Sequence, residues 1–297
     1  MRAIRTKVRA RNRMRIIDAH VHLYPVTTSR EPLAWAAARG EKHWAALCTR
    51  RRKNGDAVQH FPSVDELLRE MDTAGVEKSV LLGWYWEKPE TCVWQNRFYA
   101  ECVHAHPDRL AAFATVHPAA GPGAVEEVWR AKGEGLIGLG ELSPHSQGFG
   151  CDDAVWREVL ELAGELQIPV NLHVTEPLAK PYPGRIDTPL ADFAQMAREF
   201  PQTKFILAHW GGGMAFDAEN RPLANVWYDT AASPLMYGPE VWPQATAAVG
   251  AGRIVFGSDN PLRLYHASDP GVGLAKFVAE AKANLAGGEL AAVLAGN

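Results

Sequence analysis

The chain has 297 residues, 47% of them hydrophobic and 22% charged, an ordinary globular composition with room for a substantial core. A net charge of -3 offers no basic footprint for nucleic acid, and no apolar run is long enough to span a bilayer. Cys48, Cys92, Cys102 and Cys151 show no CxxC spacing and read as free thiols in a reducing compartment, so a cytoplasmic protein is expected.

Residues 1–13 form a basic tail: the first fifteen residues hold seven basic side chains and no acidic one. No apolar stretch of signal-peptide type follows. The expectation is a solvated tail, with Met14 opening a single domain over 14–297. Apolar, β-branched runs then recur at 15–22, 78–83, 110–117, 136–141, 169–174, 204–209, 225–230 and 253–259. They are short and almost continuously apolar, as parallel strands buried on both faces are. Helical patterns lie between them. "SVDELLREMDTAG" has Ser63 as cap, Glu66 three residues later, Leu67, Leu68 and Met71 as an apolar stripe, and Gly75 as its end. "DDAVWREVLELAGELQ" is capped by Asp152 or Asp153. "TPLADFAQMAREFP", "PEVWPQATAAVGAG" and "GVGLAKFVAEAKANLAGG" continue the alternation. Eight strands alternating with helices predict an α/β fold, a (β/α)8 TIM barrel. The rival is an open, doubly wound sheet. The 23–77 stretch is a long insertion between strands 1 and 2, expected to cover the barrel mouth.

Polar residues mark the strand ends. His20 and His22 are one residue apart on a strand, so their side chains share a face, about 6.6 Å apart along the chain. Later strands end in Glu141, His173, His209 and Asp259. Singly, each has a plain structural reading: a satisfied histidine, a helix cap, or a turn former in "GSDNP". Together they would bury several imidazoles and two carboxylates at the C-terminal face of one barrel, which is costly unless something pairs them. A divalent cation would, and neutral imidazole with carboxylate is good zinc chemistry.

The motifs "DAHVH", "GLGELSP", "VNLHV", "LAHWGG" and "VFGSDNP", in this order on successive strands, resemble the amidohydrolase superfamily, specifically the amidohydrolase-2 branch of metal-dependent hydrolases and decarboxylases. The resemblance implies that His20, His22, His173 and Asp259 hold the metal. It places His209 beside them as an acid–base or polarising group. Strand four has no lysine at its end, where many two-metal members carry a carboxylated one. Glu141 stands there, and a carboxylate at this place bridges two metals in TatD-like deoxyribonucleases. One ion is therefore the first expectation, with two ions using Glu141 and His209 as the second. Zinc is expected, with manganese as the alternative. Relatives usually continue another turn or so beyond the final "AAVLAGN".

Trp84, Tyr85 and Trp86 after strand two and Trp210 after strand six are candidates to line a planar substrate pocket. Asn260 and Arg263 join them, and Arg185 is a further candidate for clamping a carboxylate. His117 and His145 read as supporting residues. The first functional expectation is hydrolysis of an amide, ester or lactone in a small molecule. Metal-activated water attacks, with Asp259 taking its proton and His209 polarising the carbonyl. The alternative is non-oxidative decarboxylation of an aromatic or unsaturated acid with the same ligands. A third reading is a metal-binding protein without catalysis. A homodimer is the default assembly.

Overall fold

The structure is a computed structural model and describes residues 16–216, 223–264, 273–286 and 289–295. The basic tail expected at 1–13 lies outside the described residues. All eight expected strands form: β1 (Ile17–Val21), β2 (Lys78–Leu81), β3 (Leu110–Ala112), β4 (Leu139–Leu142), β5 (Val170–Leu172), β6 (Phe205–Leu207), β7 (Val226–Asp229) and β8 (Ile254–Val255). Each is shorter than its apolar run, because regular pairing stops before the run does.

Pairing is parallel throughout, in two ladders, β1-β2-β3 and β4-β5-β6-β7-β8. Backbone hydrogen bonds join the ladders at both seams. Between β3 and β4, Ile137 N donates to Ala112 O, Ala114 N to Gly138 O and Gly140 N to Ala114 O, each at 2.8 Å. Between β8 and β1, Ala19 N donates to Phe256 O (2.8 Å), Asp259 N to His20 O (2.9 Å) and His22 N to Asn260 O (2.6 Å). The strands thus close into a ring in chain order, as a TIM barrel does and an open sheet with two free edges does not.

Two apolar layers follow from the ring. Outside, strand residues such as Val170, Leu172, Phe205 and Tyr228 pack against helix residues such as Leu67, Met71, Trp156 and Phe193. Inside, Ala19, Val80, Phe113, Ile206, Trp227 and Val255 form a floor with Leu290 and Val293. Fully burying one such large side chain contributes about 1.5–3 kcal/mol. Ala19 belongs to this floor, yet neighbouring His20 also faces the site. The β1–β2 register shifts between Asp18 and Val21, and such an irregularity re-aims a side chain.

The helices read from the sequence are present. Ser63 and Glu66 make a reciprocal capping box on Val64–Ala74, and Gly75 ends it in the left-handed region at φ 75, a cap worth about 1 kcal/mol. Asp153, not Asp152, caps Ala154–Glu165, accepting from Val155 N and Trp156 N. Pro89–Ala105 and Pro122–Gly133 are helices that the periodicity did not disclose. In the first, Gln95 and Asn96 occupy buried positions where apolar residues would complete the stripe. They are used as hydrogen-bonding struts instead: Gln95 accepts from Trp84 N and Trp86 Nε1, and Asn96 brackets the Thr115 backbone.

The segment between β1 and β2 holds three short helices, Val26–Arg30, Pro32–Arg39 and Lys42–Cys48. Their Trp35 and Trp44 pack with Tyr24, Phe61, Trp86 and Trp94 in a separate aromatic cluster. His43 N donates to Glu87 after β2, and His43 Nε2 bonds Gly184 O after β5. Gln59 pairs with Leu262 after β8. The segment therefore lies across loops at the C-terminal ends of the strands. Among the described residues no helix is long and apolar enough to cross a membrane.

Candidate active site

The six strand-end residues expected from the sequence converge. His20 Nε2 and His22 Nε2 lie 3.2 Å apart. Glu141 Oε2 is 3.5 Å from the first and 3.4 Å from the second. Asp259 Oδ1 is 3.8 Å and 3.6 Å from the same two nitrogens. Beside this set, Glu141 turns its other oxygen, Oε1, to His173 Nδ1 at 2.9 Å and His209 Nε2 at 3.6 Å. His173 Nδ1 and His209 Nε2 are themselves 3.2 Å apart. Two donor groups form, His20–His22–Asp259 and Glu141–His173–His209, with Glu141 facing both.

The remote ring nitrogens decide what faces inward. His22 Nδ1 contacts Leu82 O at 3.1 Å and His209 Nδ1 contacts Ala231 O at 3.1 Å. A carbonyl only accepts, so both histidines carry their proton on Nδ1 and present a bare Nε2 to the site. His173 is reversed. Its Nε2 faces Thr175 Oγ1, whose hydroxyl donates to Ile186 O, so Nε2–H donates and Nδ1 is bare. His20 Nδ1 bonds Asp229 Oδ2 at 2.9 Å. Lone pairs and carboxylate oxygens therefore point at one another across less than 4 Å. Such a set needs cations between its members, either protons or a metal. Its atoms are the imidazole and carboxylate donors that divalent metals take, so the residues present fit a metal ion.

Electrostatics agree with that need. Burial opposes a charge on His20, but Asp229 and Glu141 lift its pKa well above the ordinary value. Burial would raise Glu141, but His20 and His173 hold it well below the usual carboxylate range. Burial keeps His173 below its ordinary value despite Glu141, which favours the neutral imidazole that a metal requires.

Asp229 was not singled out in the sequence, although "NVWYDT" also ends its strand in a carboxylate. It organises the floor of the site. Oδ2 takes His20 Nδ1 and Asn171 Nδ2, both at 2.9 Å, and Oδ1 takes His209 N at 3.1 Å and Ala231 N at 3.0 Å. These bonds hold His209 at φ 56, in the left-handed region that costs an ordinary residue about 1–2 kcal/mol. Asp259, at φ 66, is held by its N–H on His20 O. Such strain gathers where function over-determines the backbone. Gly257 leaves His20 its space: a Cβ there would lie 2.6 Å from His20 Cβ.

The expected pocket residues divide. Trp84 and Tyr85 stack at 4.3 Å, with Trp84 5.2 Å from the His22 ring and Tyr85 4.9 Å from the His173 ring. Trp86 is fully buried in the aromatic cluster. Trp210 is buried against Trp242 and Phe216 with its Nε1 on Ser233 Oγ. Asn260 is directed to Glu70, and Arg263 is exposed. Arg185 is paired with Asp187, and His117 is spent on Gln147 O and Ala119 N. Arg50, by contrast, is half-buried over the Tyr182 ring at 4.6 Å. Its Nε is buried without a partner, and no described carboxylate pairs with it. Burial raises the Tyr182 hydroxyl; Arg50 opposes that and Asp259 adds to it, so Arg50 and Asp259 both act on Tyr182.

A family model described as Amidohydrolase matches residues 17–297. The chain belongs to the amidohydrolase family. Membership makes this amidohydrolase an enzyme of a metal-dependent group, and the donor set suits such an ion. Among curated proteins, none matches the sequence significantly. Solved structures of similar fold include the 5-carboxyvanillate decarboxylase of Sphingomonas paucimobilis. It has a TM-score of 0.72 and 17% identity, over 95% of this chain and 99% of that one. The enzyme of the same activity from Novosphingobium aromaticivorans was solved with manganese and 4-hydroxy-3-methoxy-5-nitrobenzoic acid. It has a TM-score of 0.72 and 13% identity, over 95% and 96% of the two chains. The 2,6-dihydroxybenzoate decarboxylase from Rhizobium has a TM-score of 0.64 and 18% identity, over 95% and 99%.

Proposed function

We propose that this amidohydrolase is a metal-dependent decarboxylase that removes carbon dioxide from an aromatic carboxylic acid without oxidation. The observation that carries the reading is the stacked Trp84–Tyr85 pair set against His22 and His173. A flat wall beside the donor set suits a planar ring. The decarboxylase activities named for structures of this fold support it. They move the preference from hydrolysis, the first expectation, to the alternative. The ion would be held by His20, His22 and Asp259 with Glu141, and His173 and His209 would stand beside it. Imidazole and carboxylate suit zinc or manganese, and the manganese of the Novosphingobium relative supports the latter.

The chemistry a divalent ion supplies here is Lewis acidity toward a substrate oxygen. The chain supplies the rest. Arg50, which no described carboxylate pairs, offers its guanidinium to a substrate carboxylate. Trp84 and Tyr85 hold the ring and keep water from its face. His209, bare at Nε2 when neutral, takes up a second proton there: burial opposes the charge, but Glu141 and Asp259 raise its pKa above the ordinary value. The carbon–carboxylate bond breaks, carbon dioxide leaves, and the ring carbon takes that proton, so one proton replaces one carboxylate.

Hydrolysis retains one specific support. Glu141 presents one oxygen to each donor group, as a carboxylate shared by two ions would, and two-metal sites suit water activation. The deciding experiment incubates metal-loaded protein with a panel of hydroxybenzoates, amides and lactones in deuterium oxide. Release of carbon dioxide with one deuterium on the vacated ring carbon is expected. Fragments that have gained the elements of water, without carbon dioxide, would overturn the reading in favour of hydrolysis.

A further inference from the structure

Outside the strand-end cluster, a second set of donor side chains comes together at the rim of the barrel. His145, Cys151 and Asp192 each place one ligand atom within 4.8 Å of the others. They come from separate pieces of chain. His145 lies on the short helix Pro144–Gln147, capped by Ser143. Gly148, at φ 82 in the left-handed region, turns the chain so that Cys151 returns toward it. Asp192 sits in the first turn of the helix Leu190–Glu199. His145 Nε2 meets Asp192 Oδ2 at 2.8 Å. The other ring nitrogen, Nδ1, is buried and has no hydrogen-bond partner. Cys151 is half-buried.

Three chemistries could explain such a set. A Cys–His–Asp nucleophile would need the histidine to bond the sulfur, and His145 Nδ1 has no partner at all. Burial and Asp192 also push the thiol up to about 11, away from a reactive thiolate. A disulfide would need a second cysteine, but Cys48, Cys92 and Cys102 are buried elsewhere and free. A cation is the third chemistry, and it fits the donors. Thiolate and carboxylate together neutralise a divalent charge, and thiolate, imidazole and carboxylate are zinc donors. Asp152 and Glu199 add negative potential at Cys151; Arg157, on the helix that follows, is engaged by Glu199.

We propose that His145, Cys151 and Asp192 form a second, structural metal site for a thiophilic divalent ion of the zinc class. The site clips the loop after β4 to the helix after β5. It shares no residue with the strand-end cluster and does not depend on the reaction that cluster performs. The same imidazole has a buried, unpartnered nitrogen, which signals unused donor capacity at this place.

The test uses the full chain, stripped of metal and titrated with cadmium. Bound thiolate gives a ligand-to-metal absorption in the ultraviolet, and the strand-end cluster has no sulfur to contribute. The band should appear, saturate and be displaced by zinc. Cys151→Ser should abolish it, and Asp192→Asn should weaken cadmium binding by about tenfold or more. A parallel readout on the unmutated chain guards against a variant that fails to fold: zinc should slow iodoacetamide labelling at Cys151, located by peptide mass. No band in the native chain, a band that survives Cys151→Ser, or labelling indifferent to zinc would each overturn the proposal.

Discussion

Glu141 and His173 meet at 2.9 Å through Oε1 and Nδ1, while the second oxygen of the same carboxylate lies 3.4 Å from His22. One side chain thus touches both donor groups. Glu141→Gln replaces one oxygen by an NH2 that cannot ligate. Metal affinity should fall by about tenfold to a hundredfold, and the metal-to-chain ratio should drop in elemental analysis. An unchanged ratio and affinity would show that Glu141 stands outside the coordination. The native ratio separates one ion from two.

Asp229 acts through its neighbours. It receives the His20 ring and the His209 and Ala231 N–H groups. Asp229→Asn offers His20 Nδ1 a weaker acceptor, or an amide donor if it flips, and loosens the ring that should face the ion. A loss of about tenfold to a hundredfold in metal affinity is expected. Raised metal concentration should restore activity in part. A defect that metal cannot rescue would assign Asp229 another role.

Arg50 lies over the Tyr182 ring, with no carboxylate paired to it among the described residues. If it receives the substrate carboxylate, Arg50→Met removes a charge-assisted bond of about 1.5–3 kcal/mol. KM should then rise by about tenfold to a hundredfold, with metal content unchanged. Arg50→Lys should recover only part of this, because an ammonium lacks the planar fork. KM values equal to the native one would remove Arg50 from substrate binding.

Glu41 gives a pH signature away from the metal. It accepts from Glu87 N at 2.8 Å, and its other oxygen is buried without a partner. Burial lifts its pKa from 4.5 to about 6. The folded chain therefore binds this proton more tightly than the unfolded chain. The resulting stability is fully present below 4.5 and lost as pH rises through about 6. Glu41→Gln keeps an acceptor and removes the ionisation. It should match the native stability near pH 4.5 and exceed it by about 1–2 kcal/mol at about pH 8. Denaturant unfolding at both pH values measures the difference. A variant less stable than the native chain at the higher pH would contradict this account.

The barrel and its six strand-end residues were legible because both write periodic, local signals. A buried parallel strand needs a continuous apolar run, and a polar residue closing that run stands out, as His173 does after "PVNL". Asp229 closes its run equally visibly, but its role depends on meeting His20 from 209 residues away. Gln95 hides its helix because a buried amide bonded to Trp84 and Trp86 has the composition of a surface position. Trp84 and Trp210 look alike in sequence. Only tertiary packing sets one beside His22 and the other beneath Ser233. Arg50 could not be found from spacing, since its significance is a buried Nε without a partner and no carboxylate paired with it among the described residues.

The three short helices between β1 and β2 carry Arg39, Trp35 and Trp44 but none of the six convergent residues. The donors thus stand on the strand ends and the covering helices on a separate stretch of polypeptide, so a change of sequence in those helices leaves the ring that anchors the chemistry as it is.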